Sequence, residues 1–139
     1  MKIYNNHPGN LFTDIAMITA SLAKIPVEEV ILTEEQQKAK EYKQKCLTGK
    51  FPCLETNEGT VFESAAIARY LARLNPDSKL AGHGPHEAAL IDQWIDFSQS
   101  SIFPTAMPIL RATFGWSKID ADHYNNAVKD LKAHVTLIN

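Results

Sequence analysis

The 139-residue sequence is short of cysteine, of net charge and of long apolar runs, and each shortage removes a class of protein. Two cysteines, Cys46 and Cys53, cannot build a disulfide framework, and they do not form a CxxC pair. The expected compartment is therefore reducing and cytoplasmic. Fourteen Lys and Arg against sixteen Asp and Glu leave a formal charge of −2, with no global attraction for nucleic acid or an anionic membrane. No apolar run approaches the ~18–20 residues that cross a bilayer. The N-terminus turns polar by Asn5-Asn6-His7, so it has no signal-peptide core. What is present is a globular balance, 45% hydrophobic and 22% charged, in a chain long enough for one ordinary domain or two small ones.

The first half alternates strand-like and helix-like stretches. Residues 2–5 read as a strand. Residues 11–23 read as a helix with Leu11, Ile15, Ile18 and Leu22 on its apolar face. Residues 27–32 are β-branched and strand-like. One helix is expected from Glu34, acidic at its start and lysine-rich at its end, as its dipole favours. Residues 51–55 read as a third strand, 56–60 as a hairpin turn with Gly59 at positive φ, and Val61-Phe62 as the return. Glu63-Ser64 then opens a helix through Leu74, with Ile67, Tyr70, Leu71 and Leu74 on one face.

Asn75-Pro76 stops that helix, and the stretch to Pro85 carries Gly82, Gly84 and two prolines. The expected organisation is an α/β domain over residues 1–76, a linker over 77–84, and the start of an all-α domain over 85–139. Leu90, Trp94, Ile95 and Ile102 mark one amphipathic element, bent or interrupted near Pro104 and Pro108. Tyr124, Val128, Leu131, Val135 and Ile138 mark another, capped by Asp120 or Asp122. Its periodicity continues to Asn139, so the helical part is expected to be truncated.

Most familiar motifs fail on spacing. Thr48-Gly49-Lys50 lacks the upstream glycine and following hydroxyl of a phosphate loop. Glu63-Ser64-Ala65 lacks the glycines of a nucleophile elbow. His83 and His86 have no third ligand nearby, so no metal site is expected. One constellation remains. A trans Pro52 at a strand start would lose a ladder hydrogen bond, whereas a cis Phe51-Pro52 bond would present the Phe51 backbone to a ligand's peptide group. The free amides at the start of the Ser64 helix favour a carboxylate, and the Ser64 hydroxyl adds a donor. The Glu63 carboxylate could accept from an ammonium. These groups suit a peptide with a free α-amino acid end. A simpler reading, in which Ser64 is only an N-cap and Pro52 only a turn, fits the local spacing equally well.

Residues 49–55 (Gly-Lys-Phe-Pro-Cys-Leu-Glu) and 62–71 (Phe-Glu-Ser-Ala-Ala-Ile-Ala-Arg-Tyr-Leu) resemble the glutathione transferase fold. That resemblance implies a thioredoxin-like α/β domain followed by an all-α domain. Residues 89–98 (Ala-Leu-Ile-Asp-Gln-Trp-Ile-Asp-Phe-Ser), Ile102-Phe103-Pro104 and 126–131 narrow it to the elongation factor 1B gamma group. The resemblance implies that Lys50, Phe51 and Pro52 touch a glutathione-like backbone and that Glu63 and Ser64 hold its γ-glutamyl end. It implies glutathione as a possible ligand or substrate, with no required cofactor. Active transferases carry Ser, Tyr or Cys in the first turn to hydrogen-bond the sulfur; here the turn reads Asn5-Asn6-His7-Pro8-Gly9-Asn10. Asn6, His7 and Asn10 are the only substitute candidates, which weighs against catalysis.

The function implied is translation elongation. The chain would be a scaffold that binds the exchange-factor subunit of the elongation factor 1B complex, with no direct nucleic-acid contact and a homodimer through the stretch from Leu90 to Ile102. Two alternatives stand beside it. An active transferase would conjugate glutathione to electrophiles, and the intact Glu63-Ser64 pair speaks for it. An interaction domain of an aminoacyl-tRNA synthetase complex would be expected to carry a degenerate version of that pair.

Overall fold

The computed structural model describes residues 1–138. Two compact units divide it, Met1–Ala88 and the residues from Ala89 onward. The first unit holds β1 (Lys2–Asn5), α1 (Leu11–Leu22), β2 (Glu28–Ile31), α2 (Glu34–Lys38), α3 (Lys40–Lys45), β3 (Cys53–Thr56), β4 (Gly59–Phe62) and α4 (Ser64–Leu74). The strands form one sheet in the order β2-β1-β3-β4. β1 and β2 run parallel, joined by α1 as the crossover that a parallel pair needs, while β3 is antiparallel to both neighbours.

Strand alternation sorts the core into two layers. Ile3 and Leu54, opposite one another in the β1–β3 register, join Ala16, Ala20, Ile67 and Leu71 beneath α1 and α4. The next pair, Tyr4 and Cys53, faces the other way and packs with Leu32, Tyr42 and Cys46 beneath α2 and α3. Both cysteines are fully buried free thiols.

Three expectations need correction. The buried face of α1 is Thr13, Ala16 and Ala20, whereas Leu11, Ile18 and Leu22 are exposed. This helix is apolar nearly all round, so periodicity could not choose its inner face. The small residues win because they let α1 lie close to α4. The single helix expected from Glu34 is two short ones, broken at Ala39 by an extended backbone (φ −63°, ψ 146°). A capping box between Thr33 and Gln36 starts α2, and the break re-aims α3 so that Tyr42 and Cys46, one turn apart, face the sheet. The hairpin is tighter than expected: Thr56 pairs with Gly59, leaving a two-residue turn of Asn57 and Glu58, and Gly59 takes φ +142°.

Helix α5 (Pro85–Phe97) begins in the first unit and continues into the second. A π-helical turn over Ser98–Ile102 follows it directly, then α6 (Phe103–Thr113) and α7 (Ala121–Thr136). The wider π turn ends two residues before Pro104, whose missing N–H cannot join a regular ladder. Asp120, not Asp122, caps α7, accepting from the His123 amide at 2.8 Å. No described helix is long and apolar enough to cross a membrane.

Candidate functional site

The sheet register itself assembles the site. Tyr4 lies opposite Cys53, and Cys53 lies opposite Phe62. Asn5, Pro52 and Glu63, one step beyond that row, therefore share one end of three adjacent strands. At the usual strand spacing the outer two are about 10 Å apart. Three backbone segments leave from this end: the β1–α1 turn, the Lys50–Pro52 approach to β3, and the start of α4.

The Phe51–Pro52 peptide is cis, one of the two readings the local spacing left open. Pro52 is buried, Phe51 half-buried and Lys50 exposed. The Tyr42 hydroxyl donates to the Lys50 carbonyl at 2.9 Å, and the Tyr42 ring stacks on Phe51 with centroids 5.1 Å apart.

Glu63 is the N-cap of α4 and Ser64 its first helical residue, so the reading of Ser64 as a cap is corrected. The Glu63 side chain makes no capping hydrogen bond, is exposed, and sits on a backbone of φ +70° and ψ 119°. A non-glycine residue in that region costs on the order of 1–3 kcal/mol. Ser64 is buried. The first amides of α4 precede any intrahelical acceptor, the first backbone bond running from Ile67 N–H to the Glu63 carbonyl. A carboxylate acceptor, a hydroxyl and a set of unpaired amides thus stand at one helix start.

The first turn is laced by its own hydrogen bonds. Asn10 caps α1 with Oδ1, accepting from the Phe12 amide at 3.0 Å, and donates Nδ2 to Asn6 Oδ1 at 2.8 Å. His7 Nδ1 lies 2.9 Å from the Pro8 carbonyl oxygen. A carbonyl can only accept, so in this contact Nδ1 is the donor. Of the three candidates, Asn6 keeps both N–H donors of its Nδ2 outside these bonds and Asn10 keeps one of its two. Beneath them lies Asn5, fully buried, whose Oδ1 accepts from the Asn6 amide (2.8 Å) and the Thr13 hydroxyl (3.0 Å). Its Nδ2 donates to the His7 carbonyl and to Glu29 Oε1, both at 2.7 Å. The sequence carried a signal for Asn5, a polar residue on the inward phase of β1 after Ile3. Tyr42 had a weaker one, an aromatic among lysines.

Tyr4, on the opposite face from Ile3, is engaged elsewhere. Its hydroxyl donates to Glu55, which Lys45 also reaches at 2.9 and 3.0 Å. Burial, then Glu55, raises the Tyr4 pKa. The Tyr4 hydroxyl and Lys45 hold the Glu55 carboxyl below its ordinary 4.5. A depressed folded-state value adds stability above the unfolded pKa, and that stability is lost as pH falls through the folded one. In an acid titration, wild type should therefore lose its advantage over Glu55→Gln below about pH 4.5. The loss should be small, because the Lys45 and Glu55 side chains are 47% and 34% exposed. A difference that stays constant through that range would contradict it.

Both thiols are buried, and burial, then the Cys46 thiol, pushes Cys53 well up, away from thiolate. His83 and His86 are exposed, and no group of three or more potential metal ligands occurs among the described residues.

Residues 1–73 match the family model described as the glutathione S-transferase N-terminal domain. A probable elongation factor 1-gamma of Arabidopsis thaliana is 34% identical over 99% of this chain and 34% of its own length. The chain spans about a third of the length of the first curated relatives it matches. Among solved structures, glutathione transferase F2 of Populus trichocarpa superposes with a TM-score of 0.87 at 20% identity, over 99% of this chain and 67% of that one. A glutathione transferase homolog from Sulfitobacter with bound glutathione gives 0.74 at 19% identity, over 99% and 67%. At those identities the superpositions show the fold alone.

Proposed function

The chain belongs to the glutathione S-transferase family through its N-terminal domain, and from that premise we propose that it serves translation elongation in the cytoplasm. In this reading it is an interaction subunit of the elongation factor 1B nucleotide-exchange complex, docking the exchange-factor subunit and catalysing no reaction itself. The observation that carries the reading is the reach of the likeness. The family model stops at residue 73, whereas the likeness to elongation factor 1-gamma runs over 99% of the chain. The first turn supports it, since it offers the side-chain amides of Asn6 and Asn10 where a transferase offers a hydroxyl or thiol. Self-association through the stretch from Leu90 to Ile102 belongs to the same reading; Leu90 and Trp94 are 43% and 49% exposed. Sedimentation velocity, on the chain alone and mixed with the exchange-factor subunit, tests both points. A dimer alone and a faster co-migrating species in the mixture are expected. Independent migration at micromolar concentration would sink the docking claim.

Glutathione is the ligand this site suits. The Phe51 backbone would meet its peptide, the α4 amides and Ser64 its γ-glutamyl carboxylate, and Glu63 its ammonium. Replacing Ser64 by alanine should weaken glutathione binding at least about tenfold, from the ~1.5 kcal/mol or more of one hydrogen bond to a charged group. No cap is lost, so the ~1 kcal/mol stability cost of losing one should not appear. Unchanged affinity in calorimetry would make Ser64 purely structural.

One observation favours a second reading, a transferase that conjugates glutathione to electrophiles: the cis Phe51–Pro52 bond and the Glu63-Ser64 pair are both in place. Turnover of an electrophilic aromatic substrate separates the two.

A further inference from the structure

The carbonyl of Lys50 is held from the core side by two groups one turn apart, Tyr42 in α3 and Cys46 at its C-cap. The Tyr42 hydroxyl donates to it at 2.9 Å, and the Cys46 thiol approaches at 3.6 Å. Tyr42 is itself fixed, being 5% exposed, stacked on Phe51 at 13° between planes, and edge-on to Tyr4 at 6.0 Å. Of the two donors the phenol is the stronger, because a thiol is a weak hydrogen-bond donor.

The Lys50–Phe51 peptide is trans, and a planar trans peptide points its C=O and N–H in opposite directions. Fixing the Lys50 oxygen toward α3 therefore fixes the Phe51 N–H away from α3. Phe51 immediately precedes Pro52, which lies beside Asn5 and Glu63 at the end of the sheet where the candidate site sits.

We propose that Tyr42 is a positioning residue of this site: by anchoring the Lys50 carbonyl, its hydroxyl aims the Phe51 N–H as a donor to a backbone carbonyl of a bound glutathione-like peptide. The proposal rests on the glutathione reading of the site. It explains why an aromatic hydroxyl stands inside a lysine-rich helix, where a phenylalanine would pack as well. The specificity it confers is for a peptide carbonyl, since a ligand lacking one leaves the aimed N–H unpaired.

Tyr42→Phe removes the hydroxyl and keeps the stack. Its glutathione Kd, measured by calorimetry on the intact chain, should rise ~3–10-fold, the range expected for one hydrogen bond. The Phe51 N–H residual dipolar coupling should change in the ligand-free protein. Ala20→Gly, destabilised within the core between α1 and α4, serves as the control and should bind glutathione as wild type does. Wild-type affinity in Tyr42→Phe, or an Ala20→Gly loss as large as that of Tyr42→Phe, overturns the proposal. Should wild type itself show no saturable binding at millimolar glutathione, the glutathione reading falls. The orientation claim is then decided by the dipolar coupling alone: a changed value supports it, and an unchanged value overturns it.

Discussion

Ile67→Ala should destabilise the N-terminal unit by about 2–5 kcal/mol, the range for emptying a fully buried isoleucine site. Ile67 has no exposed surface and packs with Ile3, Leu54, Ala16, Ala20 and Leu71, so the cavity has neighbours from both helices and the sheet. A loss of that size is a large share of the ~5–15 kcal/mol that holds a typical domain together. It should also reach the site. The Ile67 amide makes the first backbone bond of α4, to the Glu63 carbonyl, so loosening it disturbs the Glu63-Ser64 helix start. Leu71→Ala, one turn further along, should cost similar stability and disturb that start less. Leu22→Ala is the contrast: its side chain is 61% exposed, and a change within about 0.5 kcal/mol is expected. Chemical denaturation of the three variants checks the ordering. A costly Leu22→Ala with a mild Ile67→Ala would restore the inner face that periodicity suggested.

Asn5→Ala should cost about 2–4 kcal/mol, because it removes four hydrogen bonds and strands a buried hydroxyl on Thr13. Asn5 and Thr13 have no exposed surface, so water cannot replace the lost partner without rearrangement. The amides of Asn6, His7, Gly9 and Asn10 should shift together in the spectrum, since Asn5 ties the turn to both β1 and α1. Thr13→Ala should then be cheaper in the Asn5→Ala background than alone, by roughly 1 kcal/mol of coupling. Additive effects would show that the two side chains do not act as a unit.

Much of this architecture was readable from residues that serve a single purpose. The apolar stripe of α4, Ile67 and Leu71, has one polar side and one apolar side, so its burial followed from spacing. Pro52 at a strand entry admitted few conformations. Glu63-Ser64 after a strand placed a helix start at the sheet's end. What stayed hidden were residues whose role depends on partners distant in sequence. The inner face of α1 was decided by close approach to α4, which favoured Ala16 and Ala20 over larger neighbours. The break at Ala39 has no proline or glycine to announce it; the chain turns there to bring Tyr42 and Cys46 against the sheet. Asn5 is a polar residue on an inward strand position, and its bonds to Glu29 and Thr13 exist only once β2 and α1 have docked.

The central claim is that this site binds a glutathione-like peptide without activating a thiol, because the first turn offers the neutral side-chain amides of Asn6 and Asn10 in place of a hydroxyl or thiol. The ionisation of bound glutathione tests it most directly, followed by thiolate absorbance across a pH titration of the saturated complex. The expected result is a bound thiol titrating near the ordinary ~8.5 of a free thiol, with no thiolate at pH 7 above the unbound level. A thiol shifted down so that thiolate predominates at pH 7 would contradict the claim and identify this chain as a working transferase.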